Sequence, residues 1–419
     1  MTAPYTSQLA QALAPGLLAR FLRYVRVDTQ ADRDSGAVPS SPGQLELGRL
    51  LLAELRDLGL RDARQDDAGI VTATLPGPDA APVVGLIAHV DTSPDAPGAG
   101  VEPLVHRAYD GSVLELPRGG TRLDPAAMPE LSACAGHDLV TSSGDTLLGA
   151  DDKAGVAEIM TAVAHLARNP DLARPTLRVA FTCDEEIGLG AERVDLERFA
   201  ARCAYTVDGS TLGELQDETF TAAAAIVTID GVDVHPGQAT GKLVNAARLA
   251  ARVLAALPAD TLTPETTSGR EGFLHPYEMS GTAARATLRF IARDFDDDLL
   301  DRHVALLRET AERVVGAEPR ARLTFETRPQ YPNMRRFLEP YPEVVGRAEA
   351  AIRAEGLEPV RSPIRGGTDG SILSARGLPT PNLFTGGHEY HSVREWASLH
   401  EMAAAAATLV RLAERWAVA

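Results

Sequence analysis

Cysteine is scarce in this chain of 419 residues, which contains only Cys134, Cys183 and Cys203. An odd number of widely spaced cysteines argues against a disulfide framework and is typical of a reducing compartment. The absence of any C-x-x-C pair excludes a zinc finger. The chain also lacks a cationic start followed by an apolar segment, and it has no apolar run near the roughly 18 residues that cross a membrane. We therefore predict a cytoplasmic protein.

Basic residues are in deficit as well. Lys and Arg number 41 against 58 Asp and Glu, which gives a net charge of −17 and a pI near 5.1. Nucleic acids and anionic membranes bind proteins through a basic surface, so neither is predicted as a partner. An acidic surface would not repel an amine or a divalent cation. A hydrophobic content of 44% at this length is enough for one large core and a second, smaller one, which predicts two domains.

Short apolar runs followed by acidic residues or histidine recur along the first half of the chain. Three of them are 83–88 before His89 and Asp91, 177–182 before 184–186, and 204–207 before Asp208. Such runs are typical of buried strands, and open α/β sheets collect their ligand sites at the carboxyl ends of strands. For any single cluster, surface charge or an ordinary histidine hydrogen bond is the simpler interpretation. Their repetition indicates one shared site.

Residues 148–155, with the sequence LGADDKAG, lead from an apolar segment through a glycine turn into two carboxylates and a helix. A carboxylate held there can bridge two cations through its two oxygens, although a capped surface helix is the commoner explanation. The H-x-D spacing would let Asp91 orient His89 as a metal ligand. Adjacent glutamates such as Glu185 and Glu186 can divide metal binding and proton transfer between them.

The pattern changes from residue 220 onward. Strand-like and helical segments follow in the order β-α-β-β-α-β, at 220–230, 242–256, 274–280, 284–293, 297–315 and 322–326. This order is that of the split ferredoxin-like unit, which is large enough to form a small domain. The sequence therefore predicts an α/β domain at 1–212 and 333–419, interrupted by an inserted α+β domain at 213–332.

Two motifs follow the predicted insertion. Residues 365–370 (RGGTDG) form a glycine-rich loop with a fixed cation, which could hold a carboxylate through Arg365 and backbone amides. A tight turn with a surface arginine explains this loop equally well. Residues 386–391 offer two histidines, His388 and His391, and the spacing does not decide which of them is a ligand.

In their order these motifs resemble the co-catalytic di-zinc exopeptidases, which include the peptidase T family of tripeptide aminopeptidases and the glutamate-releasing carboxypeptidases. The resemblance to the peptidase T family covers nearly the whole chain, and several of its segments exceed six residues. It is carried by residues 26–30, 89–95, 147–155, 184–186, 205–209, 234–237, 363–370 and 382–387. It implies a zinc-exopeptidase-like mixed sheet flanked by helices, with the insertion as a ferredoxin-like lid domain.

The resemblance also implies two Zn²⁺ per subunit, one of them held by His89 and Asp208, the other by Glu186 and His391. Asp151 would bridge the two ions, because the family pattern D-x-K places Lys153 two residues after it. Co²⁺ and Mn²⁺ also accept this ligand set. The chain departs from the family pattern at Cys183, where proline is common, and around His391, which leaves His388 as a competing ligand or a substrate contact.

The implied activity is release of the N-terminal residue from tripeptides by attack of a zinc-bridging water. Glu185 would be the general base and Asp91 the carboxylate behind His89. The implied substrate contacts are His235 at the oxyanion and, at the far carboxylate, Arg365 with the amides of Gly366 and Gly367.

The alternative anchor for that carboxylate is Arg293, for which a strand-end ion pair with Asp294 or Asp296 is the simpler explanation. The same metal site would also serve a dipeptidase, a carboxypeptidase or an amide hydrolase. A non-catalytic peptide-binding protein is disfavoured, because no ligand is lost. The expected partners are small peptides, and a homodimer through the lid domain is left open.

Overall fold

The computed structural model describes residues 3–78 and 81–417. The strands are β1 (Arg64–Gln65), β2 (Val71–Leu75), β3 (Val83–His89), β4 (Leu104–His106), β5 (Leu114–Glu115), β6 (Arg122–Leu123), β7 (Leu139–Thr141), β8 (Thr176–Thr182), β9 (Cys203–Gly209), β10 (Glu214–Gln216), β11 (Thr221–Asp230), β12 (Phe273–Gly281), β13 (Arg285–Asp294), β14 (Arg322–Tyr331), β15 (Val360–Arg361), β16 (Asn382–Phe384), β17 (Gly387–His388) and β18 (Trp396–Ser398). The helices are α1 (Gln8–Tyr24), α2 (Pro42–Asp57), α3 (Pro129–Ala133), α4 (Ala150–Arg168), α5 (Leu196–Phe199), α6 (Ala246–Ala255), α7 (Asp297–Gly316), α8 (Arg335–Leu338), α9 (Pro342–Ala354), α10 (Asp369–Ala375) and α11 (Leu399–Ala417).

The chain divides into two compact units. Unit 1 consists of Met1–Asp217, Arg336–Ser362 and Ile372–Ala419, and unit 2 consists of Glu218–Arg335 and Pro363–Ser371. The boundaries predicted from the sequence placed the insertion at 213–332. The main difference is that the glycine-rich loop after residue 363 packs with unit 2.

Unit 1 is built on an eight-stranded sheet in the order β1-β2-β8-β3-β9-β16-β10-β15. The consecutive strands β8, β3, β9 and β16 are parallel, whereas β2 is antiparallel to β8 and β10 is antiparallel to β16. This is the mixed sheet that the sequence predicts. Because β3, β8 and β9 are parallel, their carboxyl ends lie at one edge of the sheet.

Helices α1, α4, α9 and α11 pack on one face of this sheet around the largest hydrophobic cluster of the molecule. Helix α4 approaches the sheet most closely, at Gly155. A Cβ atom added to Gly155 would lie 1.8 Å from the carbonyl oxygen of Val207 in β9, a distance that no side chain can occupy. The backbone of α4 therefore rests directly against the strand that carries Asp208.

Unit 2 contains an antiparallel sheet in the order β12-β13-β11-β14, with α6 and α7 packed on a second hydrophobic cluster. The chain order β11-α6-β12-β13-α7-β14 and this strand order are those of a ferredoxin-like unit. Every apolar residue on the core side of β13 is buried, as the alternating pattern of the strand predicts. Among the described residues, no helix is both long and apolar enough to cross a bilayer.

Two segments differ from the expectation. Residues 92–137 are rich in Pro, Gly and Asp, which predicts irregular loops, yet they include β4, β5, β6 and α3. Apolar residues at helical spacing in 17–27 predict a first helix there, but α1 begins at Gln8, where the hydroxyl of Ser7 accepts a hydrogen bond from the amide of Ala10. The additional turns are rich in alanine, and alanine favours helix without producing a strong amphipathic stripe.

Candidate metal centre

His89 is the last residue of β3, and its buried ring lies where the parallel strands end. Its Nδ1 lies 3.1 Å from the carbonyl oxygen of Asp91 and 3.3 Å from Oδ1 of the same residue. A ring nitrogen paired in this way carries the proton, which leaves Nε2 to bind a cation. Nε2 lies 3.0 Å from Oδ1 of Asp151 and 3.7 Å from Oδ1 of Asp208. These residues form the first group of potential ligands.

Asp151 lies at the start of α4, after Gly149 with a φ of 82° and before the backbone becomes helical. Its two carboxylate oxygens face different histidines. Oδ1 is 3.0 Å from Nε2 of His89, and Oδ2 is 3.1 Å from Nε2 of His391. A carboxylate in this position can bind one cation through each oxygen.

His391 and Glu186 complete a second group around Asp151. Nε2 of His391 lies 3.0 Å from Oε2 of Glu186, and the side chain of His391 is 41% exposed. The other oxygen of Glu186, Oε1, is buried and has no hydrogen-bond partner among the described residues. A buried carboxylate oxygen without a partner is costly, and a bound cation would remove that cost.

Asp91 fixes the turn that carries the two glutamates. Its Oδ1 accepts a hydrogen bond from the amide of Glu185, and its Oδ2 accepts one from the amide of Glu186, both at 3.0 Å. One fully buried carboxylate therefore orients both His89 and the 3₁₀ turn Glu185–Ile187. Asp91 thus contacts His89 and the amides of both glutamates, and its supporting role stays a prediction.

The cluster concentrates negative charge, which shifts the pKa values of its carboxylates and histidines. Burial raises the pKa of Glu186 to about 7, and the charge of Asp151 acts in the same direction. Burial alone would lower the pKa of His391, but Asp151 and Glu186 outweigh it and raise that pKa to about 11. Hydrogen bonds from the two histidines hold the pKa of Asp151 below its ordinary value despite its burial. Without a cation the histidines retain protons, and bound cations would replace those protons.

Asp152 also lies near the cluster. A ligand atom of Asp152 lies within 4.8 Å of ligand atoms of His89 and Asp208. A ligand atom of Asp151 lies within the same distance of ligand atoms of His89 and Glu186. However, Oδ2 of Asp152 accepts a bond from the amide of His89, and Oδ1 accepts one from the amide of Gly155, both at 3.1 Å. Both oxygens of Asp152 therefore accept bonds from backbone amides, which favours Asp151 as the ligand shared by the two groups.

Glu395 holds the loop that presents Asp151, a role that no sequence motif predicts. Its buried carboxylate accepts hydrogen bonds from the amides of Leu148 and Gly149 at 2.8 Å and from the amide of Asp151 at 3.0 Å. Three backbone donors to one carboxylate fix the direction of the loop. Its only sequence signal was its position four residues after His391.

Gln44 supports the turn that carries Glu185, although the sequence predicts a different role for it. The sequence Ser41-Pro42-Gly43-Gln44 predicts a capping box in which Gln44 supports the start of α2, but the hydroxyl of Ser41 makes no capping bond. Instead, the side chain of Gln44 donates to Oδ1 of Asp184 at 2.8 Å and accepts from the amide of Asp184 at 3.0 Å. Asp184 also accepts hydrogen bonds from the amide of Ser40 and from Arg193. Gln44 and Asp184 therefore position the turn that carries Glu185.

His388 is engaged elsewhere. Its Nε2 donates to Oε2 of Glu401 at 2.8 Å, its Nδ1 is 3.4 Å from the hydroxyl of Ser210, and its ring stacks on Trp396. With both nitrogens occupied in a buried position, His388 is not placed as a ligand of this cluster. His391 is the histidine of this segment that faces Asp151.

The remaining predicted site residues belong to unit 2. His235 is exposed, and its Nδ1 accepts a hydrogen bond from the amide of Gly237 at 3.2 Å. The guanidinium of Arg365 donates to the carbonyl oxygens of Thr267, Gly269 and Glu271 and to the hydroxyl of Thr267.

Arg293 makes fewer bonds. Its guanidinium donates to the carbonyl oxygen of Arg365 at 3.4 Å and lies near the rings of Phe273 and Tyr331. Gly366 and Gly367 follow Arg365 in the same unit, where a Cβ on Gly367 would meet the ring of Tyr331 at 2.6 Å.

The model of peptidase family M20/M25/M40 matches residues 147–415, which is more than half of the chain. The chain belongs to this family. Peptidase T of Bacillus subtilis (strain 168) is 45% identical over 403 residues, 96% of this chain and 98% of that protein. Peptidase T of Vibrio parahaemolyticus is 44% identical over 400 residues, 95% of this chain and 98% of that protein. The resemblance to the peptidase T family is thus confirmed, and this M20 chain is a peptidase.

Solved structures agree with this M20 assignment. The aminopeptidase PepT from Bacillus cereus matches with a TM-score of 0.74 and 25% identity, over 96% of this chain and 99% of that one. A tripeptidase from Staphylococcus aureus matches with a TM-score of 0.76 and 21% identity, over 96% of this chain and 98% of that one. The second likeness bears on the fold alone.

Proposed function

We propose that this chain is a cytoplasmic aminopeptidase that releases the N-terminal residue of tripeptides with the help of two divalent cations. The observation that carries the proposal is the position of Asp151 between His89 and His391, with Asp208 and Glu186 completing one group on each side. The names of the relatives support the substrate, since they are peptidase T proteins.

The donor set fits two cations of the Zn²⁺ type. His89, Asp151 and Asp208 would hold one, and Asp151, Glu186 and His391 would hold the other. Imidazole and carboxylate ligands suit Zn²⁺, and they also accept Co²⁺ and Mn²⁺. When bound, two such cations polarise a peptide carbonyl and lower the pKa of water.

We propose that Glu185 moves the proton. It is adjacent to the ligand Glu186, and its amide is fixed by Asp91 at 3.0 Å. We assign to Glu185 the acceptance of the proton of the attacking water and its delivery to the leaving amine. Asp91 keeps His89 in the tautomer that directs Nε2 toward the cluster.

His235 is the proposed donor to the oxyanion. Because its Nδ1 accepts the hydrogen bond from the amide of Gly237, the neutral ring carries its proton on Nε2. An exposed Nε2–H on a loop of unit 2 is available to a carbonyl oxygen that gains negative charge.

Selection of tripeptides requires an anchor for the far carboxylate. The sequence favours Arg365 with the amides of Gly366 and Gly367, but the Arg365 guanidinium already donates four hydrogen bonds to the segment Thr267 to Glu271. Nε of Arg293 is buried without a partner among the described residues. We therefore propose Arg293 as the anchor and Arg365 as the residue that holds the surrounding loops.

Unit 2 is also the proposed site of a homodimer. β12 is an edge strand of its sheet, and Tyr277 and Met279 on that strand are each 49% exposed. An exposed apolar edge strand favours pairing with a second copy. Light scattering should give twice the chain mass for the wild type and the monomer mass for Tyr277→Asp with Met279→Asp; a monomeric wild type contradicts the dimer.

The function is tested by hydrolysis of unblocked di-, tri- and tetrapeptides of one composition, with and without added Zn²⁺, with products identified by mass. We expect the free N-terminal residue and a dipeptide from the tripeptide, and loss of activity with a chelator. Preferred cleavage of the dipeptide, or release of the C-terminal residue, would instead indicate the dipeptidase or carboxypeptidase alternative.

A further inference from the structure

A second cluster of potential metal ligands lies in unit 1, apart from the residues described above. It consists of Cys134, His137 and Glu401, whose ligand atoms all lie within 4.8 Å of one another. Cys134 and Glu401 are buried and His137 is half-buried. The three residues come from the end of α3, from the turn after it and from the first turn of α11.

Local backbone structure brings Cys134 and His137 together. The amide of His137 donates to the carbonyl oxygen of Cys134 at 2.9 Å, and Gly136 between them has a φ of 92°. A C-x-x-H segment closed into such a turn directs both side chains to one side, which is how short zinc-binding turns are built. Gly136 provides the left-handed conformation that the turn requires.

The distance between two of the three ligand atoms matches a tetrahedral site. Sγ of Cys134 lies 3.6 Å from Oε1 of Glu401. With Zn–S near 2.3 Å and Zn–O near 2.0 Å, two ligands of a tetrahedral zinc lie about 3.5 Å apart. The same distance also suits a thiol hydrogen bond, so the distance alone does not decide between a metal site and a hydrogen-bonded cluster.

The hydrogen-bond partners of Glu401 and His137 favour the metal site. The other oxygen of Glu401 is held by Nε2 of His388 at 2.8 Å, so Oε1 is the oxygen directed at Cys134. Nδ1 of His137 lies 2.9 Å from the hydroxyl of Ser398, which also accepts the amide of Glu401. Ligands that are oriented by such partners are typical of metal sites.

We propose that Cys134, His137 and Glu401 bind one structural Zn²⁺, with a water molecule as the fourth ligand. Binding replaces the thiol proton of Cys134, which is released to solvent. The ion would tie the turn after α3 to the start of α11, and it would do so independently of the two cations of the proposed peptidase centre.

The absence of cysteine from the proposed peptidase centre provides a selective test. The metal-free full-length protein is loaded with Co²⁺ under a reducing agent, and its near-ultraviolet absorption is recorded. A thiolate bound to Co²⁺ gives a charge-transfer band, whereas imidazole and carboxylate ligands do not. We expect the band in the wild type, its loss on addition of Zn²⁺, and one metal ion fewer per chain in Cys134→Ser.

Cys203→Ser is the matched control, since Cys203 is equally buried but belongs to no ligand group among the described residues. It should retain the band, and Cys134→Ser should lose it. His137→Gln should weaken the band, which provides a second test if Cys134→Ser does not fold. A wild type without the band at saturating Co²⁺, or a band that persists in Cys134→Ser, would show that the three residues form only a hydrogen-bonded cluster.

Discussion

The two units of the chain present their functional residues differently. In unit 1 the proposed ligands follow parallel strands or open a helix, and buried carboxylates such as Asp91 and Glu395 hold them in place. In unit 2 the proposed substrate contacts are single side chains, His235 on an exposed loop and Arg293 on β13. Unit 2 has 15 Lys and Arg against 17 Asp and Glu, or −2 of the total of −17, which leaves −15 for unit 1.

This difference separates two tasks. A cluster of like charges has to be held rigidly and neutralised, so its residues are supported by many hydrogen bonds and by bound cations. A peptide has to enter and leave, so groups that contact it can be exposed and make few bonds of their own. Substitutions in unit 1 should therefore affect metal binding or chemistry, whereas those in unit 2 should affect the choice and orientation of substrate.

The largest effect is expected for Glu185→Ala in unit 1. Loss of the proton carrier should lower kcat by roughly 10²- to 10⁴-fold without loss of bound metal, since Glu185 is not a proposed ligand. Turnover and metal content are measured together. Glu192→Ala, an exposed glutamate in the following 3₁₀ turn, is the control and should match the wild type. Normal turnover in Glu185→Ala would remove Glu185 from the mechanism.

In unit 2, Arg293→Ala should affect substrates that have a free carboxylate. Loss of a charge-assisted pair costs about 2 to 5 kcal/mol, so kcat/KM for a tripeptide should fall at least roughly 30-fold. The corresponding tripeptide amide should be cleaved about equally by both proteins. Arg365→Ala should lower thermal stability instead, because Arg365 ties down Thr267, Gly269 and Glu271. If only Arg365→Ala loses the preference for the tripeptide acid over its amide, Arg365 is the anchor of the far carboxylate, as the sequence favours.

Glu395→Gln tests whether support behind the ligands matters in unit 1. The glutamine amide would direct a donor at a loop that offers three donors, so the loop would shift and Asp151 with it. Metal affinity should fall roughly 10- to 100-fold, as measured by competition with a chelator. Glu414→Gln, which weakens a pair with Arg411 on α11, is the control. Unchanged affinity would mean that the loop holds its shape without Glu395.

The smallest effect is expected for His235→Ala. Removal of a buried oxyanion donor typically costs 10²- to 10³-fold in kcat, and the exposure of His235 reduces this to roughly tenfold, with KM nearly unchanged. His275→Ala, in the same unit, provides the comparison. An effect on KM alone would make His235 a substrate contact with no role in the chemical step.

The sequence was most informative where function depends on the ends of strands. His89, the 184–186 cluster and Asp208 are brought together because β3, β8 and β9 are parallel neighbours, and apolar runs followed by acidic residues predict that arrangement. Contacts distant in sequence could not be predicted in this way. Gln44 fits a local helix cap, yet it bonds to Asp184, 140 residues away.

Arg365 illustrates the same limit in unit 2. A glycine-rich loop with an arginine predicts an anion site, because the local pattern does not reveal that the guanidinium is already bonded to carbonyl groups more than 90 residues earlier. The same packing places Pro363–Ser371 with unit 2, although the chain order suggests unit 1.

The close approach of α4 to β9 at Gly155 has a consequence for how such a centre can diversify. Since a Cβ there would overlap the carbonyl oxygen of Val207, the spacing between the helix bearing Asp151 and the strand bearing Asp208 cannot be adjusted by small steps. A single methyl group would force the two apart. Substitution of Gly155 is therefore excluded as a way to change the spacing between Asp151 and Asp208, and variation of the centre has to come from other positions.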